Sequence, residues 1–208
     1  MSLYIPAPFR IDDPETLRAF IEANAFGTLV TAGPKGIHVS HIPFVIERGP
    51  GGQRLLGHVA RANPQASALE EATDVVAIFQ GPHAYVSPTW YEHHPAVPTW
   101  NYAVAHVRGR LAPLDEFELR DLLGKLSSKY EGDRPNAWRI DKAPSEFIDN
   151  LVGTITGFSL AIERVEGKFK LSQNRPGQDA KRVADALERD GEVAIASLMR
   201  EHPPASRS

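Results

Sequence analysis

Residues 26–64 read FGTLVTAGPKGIHVSHIPFVIERGPGGQRLLGHVARANP. Three runs rich in Val, Ile, Leu and Phe, at about 26–32, 37–46 and 54–60, are separated by GPKG and RGPGGQ, whose glycines and prolines favour turns. Short β-type runs joined by connections this tight predict an antiparallel meander. Strands that arrive in meanders rather than singly also argue against βαβ alternation.

The remaining segments fill in around that meander. Asp12-Asp13-Pro14 followed by Leu17, Phe20 and Ile21 reads as a capped helix with one apolar face, ending near Asn24. Asn63-Pro64 opens a second short helix, PQASALEEA. Further β-type runs follow at 74–81 and 83–87, and a long one begins at Thr99. Asp115 caps a helix through about Tyr130, with Phe117, Leu119, Leu122, Leu123 and Leu126 as its apolar stripe. SEFIDNLV is a two-turn helix, and GTITGFSLAIERVEGKFKLS alternates as a hairpin around Glu166-Gly167. One or two helices close the sequence. The sum is a mainly β, α+β chain: a small closed or split antiparallel barrel with helical decoration.

Composition narrows the chemistry. The 208 residues contain no cysteine, which excludes disulfides, thiolate metal sites and thiol nucleophiles. Reactivity must therefore come from His, Ser, Lys and carboxylates, or from a borrowed cofactor. No basic leader followed by an apolar run stands at the N-terminus, and no stretch approaches the ~18 apolar residues of a membrane span, so the expected location is cytoplasmic. A net charge of −3 with dispersed basic residues weakens the case for an autonomous nucleic-acid binder.

Four stretches are candidate sites. In GHVARANP, Arg61 lies beside the capping Asn63, with His58 three positions before Arg61; a guanidinium next to free helix N–H groups can cradle a phosphate, although a solvated Arg and a simple cap explain the same residues. In HVSHIPF, His38, Ser40 and Ile42 share one strand face, and Pro43 implies an edge or a bulge whose freed backbone groups could meet a ligand's polar rim. SPTWYEHHPAVPTWNY carries Pro-Thr-Trp twice, but the flanking residues diverge, which removes an internal repeat. Adjacent His93 and His94 diverge in direction, so no metal site is expected there. KLSQNRP gathers Lys170, Ser172, Gln173, Asn174 and Arg175 at a strand end, where a polar loop is the plain alternative. No Walker loop, Gly-x-Ser-x-Gly or Gly-x-Gly-x-x-Gly is present.

In order, YIPAPF, GTLVT, HVSHIPF, GHVARANP, YVSPTWY, VPTWNYAVAHVRG and KLSQNR resemble the PaiB family of FMN-binding proteins, often called negative transcriptional regulators. The resemblance implies a single FMN-binding split β-barrel domain, antiparallel and Greek-key-like, with the barrel over about 26–172 and a C-terminal helical segment over about 176–201. It further implies a homodimer with FMN near the subunit interface. His38, Ser40, His41, Ile42, Pro43 and Phe44 correspond to the flavin-ring edge; His58, Val59, Ala60, Arg61 and Asn63 to the ribityl-phosphate region. Thr99, Trp100, Asn101 and Tyr102 correspond to an aromatic wall reaching a flavin from the other subunit, and Lys170, Ser172, Gln173 and Arg175 to a closing segment. The family's regulator label implies a link to transcription, while the charge balance gives direct DNA contact no support; a flavin-dependent oxidoreductase of the pyridoxamine-phosphate-oxidase-like class is the alternative.

Overall fold

The computed structural model describes residues 3–49, 51–132 and 134–205. In chain order the elements are β1 (Arg10–Ile11), α1 (Pro14–Ala23), β2 (Phe26–Gly33), β3 (Gly36–Pro43), β4 (Val45–Gly49), β5 (Gly52–Ala60) and α2 (Pro64–Ala68). They continue with β6 (Asp74–Val86), β7 (Thr99–Pro113), α3 (Glu116–Glu131), α4 (Ser145–Val152), β8 (Ile155–Lys170), α5 (Gly177–Arg189) and α6 (Val193–Glu201). The strand order is β3-β2-β6-β7-β8-β5-β4, with β1 added on β8. Each register that defines a pair is antiparallel. No helix among the described residues is long and apolar enough to cross a membrane.

The chain divides into two units, and β6, β7 and β8 contribute residues to each. The larger unit comprises 21–79 and 107–165. Its first hairpin turns where the sequence predicts it: Gly36, at φ +97°, closes the β2–β3 turn in a conformation costly for any residue with a Cβ. β2 and β3 stay in register from Phe26↔Pro43 to Gly33↔Gly36. Alternate residues Gly27, Leu29 and Thr31 turn inward from β2, as period-2 alternation demands. On the other side of this unit, α3 and α4 cover β5 through Leu56, Leu119, Leu122, Leu126, Ile148 and Val152. A capping box fixes the start of α3: Asp115 accepts from the Glu118 N–H at 2.8 Å, and Glu118 accepts from Asp115 N–H. Arg54 then bridges Glu118 at 2.9 Å and Glu47 at 2.7 Å, tying that helix start to the β4–β5 hairpin.

The second unit comprises the described parts of 1–20, 80–106 and 166–208. Here α5 and the segment after β6 are joined by a buried carboxylate. Asp179 Oδ1 accepts from Glu92 N–H at 2.8 Å, and the His93 N–H and Nδ1 lie at 3.4 and 3.2 Å. Burial pushes this carboxyl up, but the Glu92 and His93 donors outweigh it and hold its pKa below the ordinary range. Arg175 stacks its guanidinium 4.5 Å above the ring of buried Tyr91, and Arg182 donates to the Trp90 carbonyl at 3.0 Å. The first Pro-Thr-Trp copy is a short 3-10 turn, Pro88–Trp90, whose entry is capped by Ser87. The second copy opens β7.

Three expectations about strands are corrected. The predicted hairpin at Glu166-Gly167 is absent, because β8 runs unbroken through both residues. Gly167 pairs with Ile11 and lies so close to Leu17 that a Cβ would collide with its side chain; that glycine permits close packing rather than a turn. The runs at 74–81 and 83–87 are one strand, β6, and the run at 37–46 breaks at Phe44 into β3 and β4.

Two predictions follow from this packing. A Cβ on Gly109 would run into the backbone carbonyl of Ala161 in the larger unit, whereas one on Gly124 of α3 meets nothing within 4 Å. Gly109→Ala is expected to cost at least about 1–3 kcal/mol, and Gly124→Ala to stabilise by about 0.5–1 kcal/mol, read by urea titration. In the second unit, Asp179→Ala removes the acceptor of three donors and is expected to cost about 1–3 kcal/mol and to speed proteolytic nicking at 91–98. Because the folded carboxyl titrates below the unfolded one, its contribution is complete above the ordinary carboxylate range and fades as pH falls through the folded value. The gap between wild type and Asp179→Ala in thermal melts should therefore shrink in acid.

Candidate functional site

The larger unit brings β3, the end of β5 and the start of α2 together through side-chain amides. Asn63 Oδ1 accepts from Gln65 N–H at 2.9 Å, capping α2, while its Nδ2 donates to Ser40 Oγ at 2.9 Å. Buried Gln65 donates from Nε2 to Thr31 Oγ1 at 3.1 Å and to the carbonyls of Leu29 and His38 at 3.3 Å. Ser40 and Asn63, two predicted cofactor residues, thus hold each other, and Gln65, which the sequence reading passed over, anchors both strands. Only its place just after Asn-Pro hinted at the role.

The β3 residues separate by face. Ser40, Ile42 and Phe44 are buried, whereas Ile37, Val39 and His41 point outward. Phe44 packs edge-on against Phe79 and Phe158 at ring centroid distances of 5.3 and 6.2 Å, and buried Val59 also belongs to the core. These side chains shape the interior, so any ligand contact along β3 falls to His38, His41 and the backbone. Pro43 marks an edge rather than a bulge: β3 ends the sheet and its register with β2 is regular. His41 Nδ1 lies 2.9 Å from Thr28 Oγ1 across that pair.

Arg61 is exposed and opens onto a groove of about 950 Å³ with Ser67, Thr156 and the backbone around Gly157. Its N–H donates to Thr154 O at 2.7 Å, and Nη2 reaches Ile155 O at 3.3 Å. The other two cations of the groove are committed: Lys35 pairs with Glu71 at 2.9 Å, and Arg120 with Glu116 at 2.8 Å and Asp149 at 2.5 Å. Among the described residues Arg61 has no carboxylate partner, so its fork fits an incoming phosphate. His58 does not share that groove. It faces α3 and α4 from β5, where burial lowers its pKa and leaves the ring neutral at pH 7. A neutral imidazole there offers a phosphate no charge.

In the second unit β7 also separates by face. Asn101 is buried, with Nδ2 donating to Ser172 Oγ at 3.0 Å and lying 3.3 Å from Met199 Sδ. Trp100, half-exposed, sits near Tyr85 and His83 at ring distances of 6.0 and 6.4 Å, and Lys168 Nζ lies 5.3 Å from the Tyr102 ring. Of the three residues expected to form an aromatic wall, Trp100 is exposed, Tyr102 is partly buried and Asn101 is turned inward. Lys170 donates to Thr99 Oγ1 and to Trp100 O; burial first, then Lys168 and Arg175, lower its pKa. Ser172, at φ 68°, begins a tight turn in which Gln173 accepts from Leu171 N–H and donates to Phe169 O. No group of three or more His, Asp or Glu able to hold a metal occurs among the described residues.

Residues 3–164 match the family described as "Putative FMN-binding domain". The chain is 35% identical over 188 residues to the Bacillus subtilis protein "Protease synthase and sporulation protein PAI 2", with 90% of each chain covered. In fold it is similar to the flavocytochrome Anf3 of Azotobacter vinelandii, with a TM-score of 0.60 at 17% identity over 77% of this chain and 69% of that one. It is also similar to the FAD and heme binding protein of Mycobacterium smegmatis, with a TM-score of 0.59 at 16% identity over 77% and 73%. The chain has the FMN-binding split-barrel fold, with its antiparallel sheet left open between β3 and β4. The chain belongs to the PaiB family of FMN-binding proteins.

Proposed function

We propose that Arg61 is the phosphate anchor of the FMN site and that the open edge of β3, from His38 to Phe44, meets the polar rim of the flavin ring. The observation that carries this reading is the state of Arg61: the one groove cation without a carboxylate among the described residues, beside the Thr156 hydroxyl, which can add a neutral donor. Bound FMN supplies one- and two-electron transfer. The protein supplies position: Asn63 and Gln65 fix α2 against β3, so that Arg61 and the strand edge keep a constant spacing.

The proposal extends to a homodimer in which Trp100 and Tyr102 of one copy serve the flavin held by another. Its support is apolar surface left open in each unit: Phe26, Ile37 and Val39 on β2 and β3, and Trp100 with Tyr85 on β7 and β6. Gel filtration of FMN-loaded protein with light scattering and absorbance detection should give a dimer-sized peak with one FMN per chain. Arg61→Ala should weaken FMN binding roughly ten- to a hundredfold, the value of a charge-assisted hydrogen bond, with an unchanged thermal melt. Flavin lost from the wild-type peak at micromolar concentration would overturn the FMN site; retention unchanged in Arg61→Ala would overturn the anchor alone.

We infer also that any part the protein plays in negative transcriptional regulation runs through the flavin's redox or binding state rather than through direct operator contact. A net charge of −3 supports this, since DNA affinity rests largely on phosphate neutralisation. A gel-shift assay on the protein's own promoter at low salt, where electrostatic binding is strongest, should show no complex; a salt-sensitive shift would reverse the conclusion.

A further inference from the structure

A second cavity lies in the larger unit beside the Arg61 groove, meeting it at Val152 and Ile155. It measures about 400 Å³ and is walled by Leu123 and Tyr130 of α3, Ile148 and Leu151 of α4, Trp138 of the segment between them, and His58 of β5. Its lining is overwhelmingly apolar, and most of its polar groups already hold the walls in place. Ser127 Oγ donates to Trp138 O at 3.1 Å, Thr154 Oγ1 donates to Leu151 O at 2.7 Å, and Glu131 accepts from Trp138 N–H at 3.0 Å while facing Arg134 at 3.6 Å.

His58 is the exception. Its Nδ1 is buried and has no hydrogen-bond partner, a state that costs about 1–3 kcal/mol unless a ligand or water satisfies it. The ring sits on the face of β5 that also carries Leu56, beneath the helices, because Gly57 and Val59 occupy the opposite, interior face. Burial keeps it uncharged. An apolar cavity of this size with aromatic walls and a single unsatisfied neutral nitrogen complements one kind of ligand: it has no cation for an anion and one carboxylate, Glu131, already engaged.

We propose that this cavity binds a small, uncharged, mainly aromatic molecule that offers one hydrogen-bond donor to His58 in the tautomer that leaves Nδ1 unprotonated. The cavity adjoins the Arg61 groove along Val152 and Ile155 but is a distinct pocket, and this inference rests on the flavin phosphate lying at Arg61.

N-phenyl-1-naphthylamine matches this description, being uncharged and aromatic with one N–H, and its fluorescence rises on leaving water. Titrated into FMN-loaded protein and excited directly, it should bind saturably at one site per chain and should not be displaced by excess FMN. Leu151→Trp, at a half-exposed position, fills the cavity and should weaken the dye at least tenfold. His58→Leu keeps the apolar wall, removes the acceptor and should weaken it about two- to tenfold. Trp138→Ala, also half-exposed, should weaken it several-fold and serves if Leu151→Trp fails to fold. Flavin absorbance in the Leu151→Trp and Trp138→Ala proteins should match wild type, so loss of the dye site and loss of the flavin site are read separately. No saturable binding to wild type, or equal affinity in Leu151→Trp and Trp138→Ala, overturns the proposal. Displacement of the dye by FMN assigns the cavity to the flavin and overturns it equally.

Discussion

Three phenylalanine rings set the interior of the larger unit, and two glycines make room for them. Phe44 stands at the corner where β3 becomes β4, with Phe79 and Phe158 set edge-on against it. A Cβ on Gly27 would come within 2.9 Å of the Phe79 ring, and one on Gly57 within 2.7 Å of the Phe158 ring. Close packing of this kind leaves no volume to trade, so the rings fix the spacing of β2, β5, β6 and β8 together. The bend at Phe44 is the means by which a run with one unbroken apolar pattern serves two strands. Because that bend leaves β3 and β4 as the two end strands, the open edge of β3 is a consequence of the core rather than a feature added for a ligand.

Much of this was legible because it is local. The β2–β3 and β4–β5 turns, the α2 and α3 caps and the alternation of β2 are written in residues a few positions apart. What failed was the reading of glycine. Gly167 beside Glu166 carries the same local signal as a hairpin turn, yet its role is to admit Leu17, 150 positions away in sequence. The Gly81-Pro82 pair likewise reads as a break and lies inside a continuous strand. A missing Cβ serves a turn and a close approach equally well, and only the distant partner distinguishes them.

The same limit applies to the site. The capping role of Asn63 is visible in Asn-Pro, but its second bond, to Ser40, spans 23 residues and has no sequence signature. Strand alternation correctly set Ser40 and Ile42 apart from His41, and it also implied that Asn101 and its neighbours Trp100 and Tyr102 must face opposite ways. Grouping all three as one wall followed the resemblance; the backbone period divides them. Asp179 shows the converse: nothing in GQDAKRVADALERD distinguishes it from the exposed acids of an amphipathic helix, and its burial is known only once Glu92 and His93 are beside it.

Charge pairing then decides which groups remain available for chemistry. In the larger unit Glu47, Arg54, Glu118, Lys35, Glu71, Arg120 and Asp149 all take up one another, which stabilises the hairpin and helix starts but leaves them little capacity for a ligand. Arg61 and His58 escape that pairing for different reasons. Arg61 escapes because its fork meets the Ile155 carbonyl, while Glu71, Glu116 and Asp149 of the same groove are taken up by Lys35 and Arg120; that is the basis for proposing it as a phosphate anchor. His58 escapes because the helices above it are apolar, so its ring stays neutral and selects against charge. Three residues apart at one strand end, the two groups face environments of opposite polarity, which is why the two ligands proposed for the single short stretch GHVARANP differ in chemistry.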